Sequence, residues 1–306
     1  MSQTVDVIII GAGPAGLAAA IYTGRARLDT LVLEKATPGG QILLTDFVEN
    51  YPGFPDGIAP IQLMEDFRKQ AEKFGARITM DDVREVDRKE DFWQLIGNRG
   101  DYSTRAVIVA TGSSHRKLDV EGERELTGRG VSYCATCDGA FFMNKEAAVV
   151  GGGDWALTEA LFLTRFCSMV KIIHRRDQFR GEKILQERVL KNAKIKVLWD
   201  TILEKISGTD SLKSVTIRNV KDNTTSELKL DGLFISIGTV PNSEVVKDFV
   251  TLNEWGEIKV GNNMSTNQLG LFAAGDVTNA CPQQMATAVG TGVAAAIAVN
   301  DYLSGV

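Results

Sequence analysis

DVIIIGAGPAGLAAAIYTGR, residues 6–25, decides the fold of this chain. It joins a short apolar strand to an Ala/Leu-rich helix through GAGPAG (11–16), which fits the pattern G-x-G-x-x-G. In such a loop Gly11 allows the tight turn, Gly13 lets the backbone approach a pyrophosphate and Gly16 permits close helix–strand packing. This order of strand, glycine loop and helix predicts a β-α-β dinucleotide-binding unit.

The chain contains a second copy of this pattern. AAVVGGGDWALTEALFLTRF (147–166) again runs strand, glycine loop, helix, and its loop over 151–156 has the form G-x-G-x-x-A. An apolar strand follows each helix, TLVLEK (30–35) in the first copy and VKIIHR (170–175) in the second. This repeat predicts an α/β protein with two Rossmann-like dinucleotide-binding domains, each built on a mostly parallel sheet.

The second unit is predicted to be inserted into the first, because no further nucleotide loop follows it. The tail instead reaches LGLFAAGDV (269–277) and a helix-like segment over 283–303, which we expect to complete the first domain. The expected boundaries give 1–114 and 244–306 to one domain and 115–243 to the inserted one. Two chain crossings between the domains would form a natural hinge.

Charges at the ends of the second strands indicate two different nucleotides. Glu34 stands where an acid would bond a ribose hydroxyl. The corresponding place in the second unit holds the run His174-Arg175-Arg176, followed by Arg180. Arginines bind a 2′-phosphate with charge-assisted hydrogen bonds, so this run favours NADPH over NADH. A solvated basic strand end is the alternative, and His174 by itself reads as structural.

Gly275-Asp276, after an apolar strand, favours FAD as the ligand of the first domain. An acid at this place can bond the ribitol of a flavin. A helix beginning near Gln284 and Met285 can direct its positive dipole at the N1/O2 edge, where reduced flavin carries negative charge. A plain turn with an Asx hydrogen bond is the alternative for Gly275-Asp276 alone.

Trp155 is unusual in the first helical turn after a nucleotide loop, where a small residue would fit beside a pyrophosphate. Its indole either points away from the ligand or narrows the loop and weakens NADPH binding. Both alternatives remain open from the sequence.

Cys134 and Cys137 form a C-x-x-C pair in a chain with only four cysteines. A zinc site needs four ligands, and Cys167 and Cys281 are far away in sequence, so no metal site is predicted. The spacing favours a redox-active dithiol. Asp138 can supply or take a proton during dithiol–disulfide interchange, or alternatively cap the following turn. Cys167 is expected to be a small buried hydrophobe and Cys281 a loop thiol.

The dithiol falls in the inserted domain, together with the second glycine loop. Nicotinamide and disulfide would then be carried by one domain, while the flavin belongs to the other. Both must reach the same flavin for electrons to flow. We therefore expect the inserted domain to swing between two orientations.

The composition excludes several classes of protein. The chain has 306 residues, 44% of them hydrophobic, a formal net charge of −5 and a pI near 5.3. These values indicate a globular protein without a nucleic-acid-binding surface. The N-terminus does not resemble a signal peptide and no segment approaches a membrane span, so we expect a soluble, cytoplasmic protein.

The chain resembles the low-molecular-weight, bacterial-type thioredoxin reductases, flavoproteins among the pyridine nucleotide-disulfide oxidoreductases. The motifs in family order are GAGPAG, PGGQ (38–41), ENYPGFP (49–55), CATCDG (134–139), GGGD, HRRDQFR (174–180), SIG-x-x-PN (236–242) and FAAGDV. The resemblance implies an enzyme that passes electrons from NADPH through FAD and the Cys134–Cys137 disulfide to thioredoxin or a thioredoxin-like protein. It also implies a homodimer.

The resemblance further implies roles for single residues. Cys137 would exchange electrons with the flavin, Cys134 would attack the thioredoxin disulfide, and Asp138 would be the general acid. The residues expected to line the FAD are Gln41, Asn50, Asp276 and Gln284. The remaining predicted cofactor contacts are Pro14, Ala15, Lys35, Gly40, Val83, Ala110, Thr111, Gly112, Gly151, Gly153, Asp154, Ala156, Gly238, Gly275, Met285 and Ala286.

Four positions depart from the family pattern. Trp155 replaces Ser or Thr, Thr158 replaces Glu, Gln283 replaces a frequent Arg, and His115 replaces a frequent Pro. Trp155 motivates an alternative function: a family variant fed by another donor, such as ferredoxin, or a dithiol oxidase. A non-enzymatic flavin-binding protein is the third hypothesis, which the intact C-x-x-C-D disfavours.

Overall fold

The computed structural model describes residues 3–45, 47–280 and 282–305. The chain divides into two compact units, which we call unit 1 (Met1–Ser114 with Val240–Val306) and unit 2 (His115–Thr239). The second crossing thus lies slightly before the boundary at 243 expected from the sequence. Cys281 lies outside the described residues.

The first segment of unit 1 consists of β1 (Gln3–Ile10), α1 (Pro14–Arg25), β2 (Thr30–Glu34), α2 (Pro60–Lys73), β3 (Arg77–Met80), β4 (Val83–Arg88), β5 (Trp93–Gly97), β6 (Asp101–Val109) and β7 (Ser113–His115), which reaches the first crossing. Unit 2 follows with α3 (Glu123–Leu126), β8 (Val131–Ser132), α4 (Ala135–Asp138), β9 (Glu146–Val150), α5 (Asp154–Leu163), β10 (Met169–Ile173), α6 (Lys183–Lys191), β11 (Ile195–Leu198), β12 (Thr201–Gly208), β13 (Leu212–Asn219), β14 (Thr225–Lys229) and β15 (Gly232–Ile235). The chain then forms β16 (Thr239–Pro241) at the second crossing, β17 (Leu271–Ala273) and α7 (Met285–Ser304). The crossing strands β7 and β16 pair with each other.

Unit 1 is built on a seven-stranded sheet, six strands of which follow the order β3-β2-β1-β6-β5-β4, while the seventh, β17, pairs with β6. The strands β1, β2, β3 and β6 run parallel, while β4 and β5 are antiparallel additions. One edge of β6 is shared: its first half pairs with β5 and its last residues with β17, which returns from the C-terminal segment. The tail therefore completes the parallel sheet of unit 1.

Unit 2 repeats this plan with five parallel strands in the order β11-β10-β9-β15-β8. A separate antiparallel sheet, β12-β13-β14, lies between β11 and β15 in the chain. The place that β17 fills in unit 1 is filled here by β8, which comes before the first strand of the repeat. The predicted α/β fold, two doubly wound units with one inserted into the other, is confirmed.

The parallel strands are buried on both faces because each sheet lies between two layers. Along β1, Val7 and Ile9 belong to the core beneath α1 and α7, while Ile8 and Ile10 point to the opposite core. Successive side chains of a strand alternate between faces, which explains why this strand reads as a continuous apolar run. Unit 2 likewise has one core under its helices and another under β12–β14.

Local boundaries refine the expected elements. The predicted start of the last helix is confirmed, since α7 begins at Met285. The strand expected over 170–175 ends at Ile173, so the basic run follows it rather than ending it. Likewise β17 ends at Ala273, and Gly275–Val277 forms a short 3-10 turn. In the described part of the chain, no helix combines the length and apolarity needed to cross a membrane.

Candidate nucleotide sites and redox disulfide

The first glycine loop has a backbone that only glycine fits. Gly11 has φ of +105°, and a Cβ there would lie 2.4 Å from the carbonyl oxygen of Ala110. Helix α1 begins at Pro14, with Gly13 as the N-cap and no capping side chain among the described residues. The N–H groups of its first turn are therefore available to an anion.

Glu34 is held against this loop. Its side chain is buried, and its carboxylate accepts the N–H of Ala12 at 2.7 Å and that of Ala36 at 2.8 Å. An ionised carboxylate has about four acceptor positions, so the group can still accept a ribose hydroxyl. Neighbouring Lys35 is exposed.

Two hydrogen-bonded pairs contain three of the residues expected to line the FAD. Gln41 donates from Nε2 to the carbonyl oxygen of Ser113 at 2.5 Å and to its Oγ at 2.9 Å. Asn50 donates from Nδ2 to Oε1 of Gln284 at 3.3 Å. Gln284 is the N-cap of α7 and forms a capping box with Thr287. These pairs fix polar groups near the start of α7 and on the segment after β6.

Asp276 lies in a short turn between β17 and α7, and its carboxylate is half-buried. The N–H of Gly275 donates to Oγ1 of Thr291 at 3.0 Å, which ties this turn to α7. Burial raises the pKa of Asp276 to about 6, and no hydrogen bond reaches its carboxylate from the described residues. A largely desolvated carboxylate without a donor is costly, so this position suits a ligand with hydroxyl groups.

The other predicted contacts of unit 1 surround the same loop and strand ends. Gly40 packs on the first loop, since a Cβ there would lie 3.1 Å from the Cα of Gly13. Ala15 is buried at the start of α1, Ala110 is buried after β6, half-buried Val83 opens β4, and Met285 and Ala286 open α7. The structure thus brings these residues together at one end of the sheet of unit 1.

Asn242 holds the segment after β6, a role that the sequence did not reveal. Its Nδ2 donates to the carbonyl oxygen of Thr111 at 2.9 Å, and its N–H donates to that of Gly112 at 2.9 Å. Thr111 returns a hydrogen bond from Oγ1 to the carbonyl oxygen of Asn242 at 2.7 Å. The Pro-Asn pair within SIG-x-x-PN was the available signal.

The second glycine loop repeats the geometry of the first. Gly151 has φ of +149°, and a Cβ there would lie 2.2 Å from the carbonyl oxygen of Ser236. Helix α5 begins at Asp154 with Gly153 as N-cap, and a Cβ on Gly153 would meet nothing within 4 Å. The loop therefore presents open space before the helix, as a pyrophosphate requires. Ala156 is buried in the first turns of α5.

His174 lies beneath this loop. Its ring would overlap a Cβ on Gly152, with Cε1 at 2.3 Å, and Nε2 lies 2.9 Å from the carbonyl oxygen of Gln178. Burial lowers the pKa of this imidazole, which also packs on Phe179 and Trp199. His174 supports the loop from below.

The arginines of this run are differently placed. Arg175, Arg176 and Arg180 are all exposed, and no ion pair to them occurs within the described residues. The N–H of Arg180 donates to the carbonyl oxygen of Gly152 at 2.8 Å, which fixes the basic segment against the glycine loop. Unpaired guanidinium groups at this place are suited to a phosphate.

Trp155 contacts a second residue that departs from the family pattern. Its ring centroid lies 5.9 Å from that of His115, and His115 stacks on Tyr133 at 6.1 Å. Nε1 of Trp155 and Nε2 of His115 are buried, and neither has a hydrogen-bond partner among the residues that the structure describes. Burial lowers the pKa of His115. Gly238 follows β15, and its carbonyl oxygen accepts the N–H of Arg116 at 2.9 Å.

Cys134 and Cys137 form a disulfide with a Cα–Cα distance of 5.4 Å. Cys134 is buried and caps α4, its Sγ accepting the N–H of Cys137 at 3.1 Å, whereas Cys137 is exposed. Asp138 does not cap the following turn with its side chain. Cys167 is fully buried, as expected, and burial raises its pKa to about 11. No group of three or more possible metal ligands occurs among the described residues.

Glu159 is a buried carboxyl that sequence reasoning missed. Its Oε1 accepts the N–H of Ala135, inside the disulfide loop, at 2.8 Å, and its Oε2 accepts the hydroxyl of Ser236. Desolvation raises the pKa to about 7, opposed by these two hydrogen bonds. The available signal was a charged residue three positions after buried Ala156 and four before buried Leu163, on the apolar face of α5.

Comparisons with known proteins agree with this geometry. Residues 5–292 match the family model described as pyridine nucleotide-disulphide oxidoreductase. The chain is 46% identical to a thioredoxin reductase of Streptomyces coelicolor, over 99% of this chain and 95% of that protein. It is 45% identical to one of Bacillus subtilis, over 97% of this chain and 94% of that protein.

A solved structure is similar over nearly the whole chain. The crystal structure of Lactococcus lactis thioredoxin reductase matches with a TM-score of 0.96 and 42% identity, covering 99% of this chain and all of that one. These matches establish a flavin- and pyridine nucleotide-using oxidoreductase that acts on disulfides. The chain belongs to the bacterial-type thioredoxin reductases of the pyridine nucleotide-disulphide oxidoreductase family.

Proposed function

We propose that this chain uses NADPH to reduce the disulfide of thioredoxin or a thioredoxin-like protein. The overall reaction converts NADPH, a proton and the oxidised partner into NADP⁺ and the partner dithiol. The observation that carries the proposal is the Cys134–Cys137 disulfide in unit 2. The same unit contains the second glycine loop of the chain, and exposed arginines without an ion pair among the described residues follow the next strand.

Unit 1 is proposed to hold FAD. The anion-accepting start of α1, the Glu34 carboxylate and the unpartnered Asp276 fit a pyrophosphate, a ribose and a ribitol, respectively. Bound FAD would relay two electrons between nicotinamide and disulfide. Gln41, Asn50 and Gln284 would orient it through amide groups, which donate and accept.

Unit 2 is proposed to hold NADPH. Arg175, Arg176 and Arg180 would bind the 2′-phosphate, and the open loop at Gly153 would receive the pyrophosphate. His174 would keep the loop in place rather than contact the nucleotide, since its imidazole is buried under Gly152.

The dithiol would reduce thioredoxin in two exchanges. The Cys134 thiolate attacks the partner disulfide, forming a mixed disulfide and releasing one partner thiolate. Cys137 then attacks Cys134, which re-forms the 134–137 bond and releases the second partner thiol. Asp138 supplies the proton to a departing thiolate. Its carboxylate is available for this because it does not cap the following turn.

Attack by Cys134 requires movement. Cys134 is only 9% exposed, while Cys137 is exposed. Nicotinamide and disulfide would both belong to unit 2 and both must reach the flavin, so we propose that unit 2 changes orientation between half-reactions, about the two crossings at 114–115 and 239–240. We also propose that the protein is cytoplasmic and, as the family resemblance implies, a homodimer. Light scattering on the purified protein tests the dimer.

Anaerobic rapid mixing tests the proposed function. NADPH should bleach the flavin absorbance within milliseconds to seconds, and the enzyme should then reduce thioredoxin disulfide. Replacing Cys134 or Cys137 with Ser should abolish disulfide reduction while FAD stays bound. Turnover retained in both serine variants, or a flavin that NADPH does not bleach, contradicts the proposal.

The alternative of a ferredoxin-fed enzyme or a dithiol oxidase is not favoured by the matched relatives, which are thioredoxin reductases. The exposed arginines, which have no ion pair among the described residues, also favour a nucleotide with a 2′-phosphate. The same rapid-mixing experiment separates the two, because a ferredoxin-fed enzyme would leave the flavin oxidised with NADPH.

A further inference from the structure

Two residues that depart from the family pattern touch each other in unit 2. His115 and Trp155 are 40 positions apart in sequence, yet their rings approach to 5.9 Å between centroids at an interplanar angle of 42°. His115 also stacks on Tyr133, the residue before Cys134, at 6.1 Å and 22°. We call these three residues the aromatic wall. It connects the redox loop with the first turn of α5.

The aromatic wall contains two buried nitrogen atoms that have no hydrogen-bond partner among the described residues. Buried side-chain nitrogen or oxygen atoms without a partner are rare in the described chain: they are Nε1 of Trp155, Nε2 of His115 and one nitrogen of Arg88 in unit 1. Leaving such an atom unpaired costs about 1–3 kcal/mol, so native proteins pair them with protein, water or ligand. Two of them lie on neighbouring rings, so one ligand group with a donor and an acceptor can satisfy both.

The chemistry of the two nitrogens restricts the occupant. The indole nitrogen of Trp155 is a donor only. Burial lowers the pKa of His115, so its imidazole is neutral and Nε2 can accept when Nδ1 carries the proton. Such a pair of one donor and one acceptor complements a primary carboxamide, which offers one oxygen and one N–H on the same side.

The position of the aromatic wall selects the nicotinamide end of the nucleotide. The basic residues suited to the 2′-phosphate follow β10, while Trp155 opens α5 and Tyr133 adjoins the disulfide. The wall is thus on the side of the redox chemistry, where the nicotinamide must act.

Building on the proposed function, we propose that Trp155 and His115 together bind the nicotinamide carboxamide of NADP(H), with Trp155 donating from Nε1 to its oxygen and His115 accepting at Nε2 from its N–H. The departures then form one matched pair that sets specificity for the nicotinamide group. Trp155 contributes to binding instead of obstructing the loop.

Calorimetric titration of the oxidised holoenzyme tests this with three probes: NADP⁺, its 3-acetylpyridine analogue, and adenosine 2′,5′-bisphosphate, which lacks the nicotinamide half. Trp155→Phe and His115→Phe keep a ring and remove the nitrogen. Each should weaken NADP⁺ binding roughly five- to tenfold and leave the bisphosphate unchanged. The analogue has no carboxamide N–H, so His115→Phe should bind it as tightly as the wild-type protein does.

Thermal unfolding without nucleotide gives a second readout. The midpoint of Trp155→Phe should not fall, because the substitution removes an unpaired buried N–H. Trp255→Phe is the matched control, since Trp255 is 63% exposed in unit 1 and should change neither binding nor stability.

Each outcome is decisive. Unchanged NADP⁺ binding in both variants, or equal weakening of NADP⁺ and the bisphosphate, overturns the carboxamide assignment. Wild-type protein that binds NADP⁺ and the 3-acetylpyridine analogue equally also contradicts the role of His115, even if a variant fails to fold. Wild-type protein that binds neither NADP⁺ nor the bisphosphate instead contradicts the proposed electron donor.

Discussion

The two glycine loops of this chain have the same backbone plan and different side chains around it. In each, the first glycine has positive φ and faces the carbonyl of a neighbouring strand end, Ala110 for Gly11 and Ser236 for Gly151. After the second strand, unit 1 places a buried carboxylate at Glu34, whereas unit 2 places exposed, unpaired arginines. The shared topology predicts where a ribose would lie, and we propose that the charge at that place selects the nucleotide.

The units also differ in how they treat a buried carboxyl. Asp276 in unit 1 has no hydrogen-bond donor among the described residues, while Glu159 in unit 2 has two. Burial raises both pKa values, to about 6 and about 7 respectively. The unpartnered group suits a ligand, whereas the satisfied one anchors the backbone of the disulfide loop. Burial therefore raises the pKa of both carboxyls, but among the described residues only Glu159 is fixed by donors of its own unit.

The largest effects should come from the first glycine of each loop. Gly11→Ala and Gly151→Ala each force a Cβ to within 2.4 Å or 2.2 Å of a carbonyl oxygen, at positive φ. We expect a loss of at least about 2 kcal/mol in unfolding free energy. Gly11→Ala should lose its flavin. Gly151→Ala should keep its flavin and lose the ability to bind NADP⁺.

Flavin content after purification and NADP⁺ affinity check this separation. Gly290→Ala is the control, because Gly290 lies in α7 with nothing within 4 Å of an added Cβ. Loss of flavin from Gly151→Ala would show that the two loops do not act independently.

The arginines should give the next largest effect. Arg175→Ala with Arg176→Ala should weaken NADP⁺ binding roughly 10- to 100-fold, because each charge-assisted hydrogen bond is worth about 1.5–3 kcal/mol and exposure reduces this. NAD⁺ binding should be nearly unchanged, since it has no 2′-phosphate. Lys196→Ala removes one exposed charge of unit 2 from β11 as a control. An equal loss for both nucleotides would remove the arginines from the 2′-phosphate site.

Glu159 should give the smallest effect, on the pH dependence of stability. Its folded pKa of about 7 lies above the usual value, so the folded protein binds the proton more tightly than the unfolded chain. Stability should therefore fall as pH rises from the ordinary glutamate value of 4.5 through the folded value of about 7, by at most about 1 kcal/mol per pH unit. Glu159→Gln should remove this part of the slope in urea unfolding of the holoenzyme. A slope unchanged by the substitution would mean that Glu159 does not titrate in this range.

Much of this plan is predictable from the sequence, because glycine loops, apolar strands and capping residues act locally. The two units, the insertion and the start of α7 at Met285 follow from such signals. The strand β8 did not, because two residues carry no periodicity. The contacts of His115 with Trp155 and of Glu159 with Ala135 could not be predicted either, because each joins segments that only the folded sheet brings together. The roles proposed for the single site residues stay predictions.

One labelling experiment tests most directly whether NADPH delivers electrons to the disulfide of unit 2. The oxidised holoenzyme is mixed anaerobically with NADPH, quenched with iodoacetamide and mapped by mass spectrometry. Cys134 and Cys137 should both become alkylated, while Cys167, fully buried and with a raised pKa, stays unlabelled as an internal control. A flavin that bleaches while Cys134 and Cys137 remain joined would contradict the account.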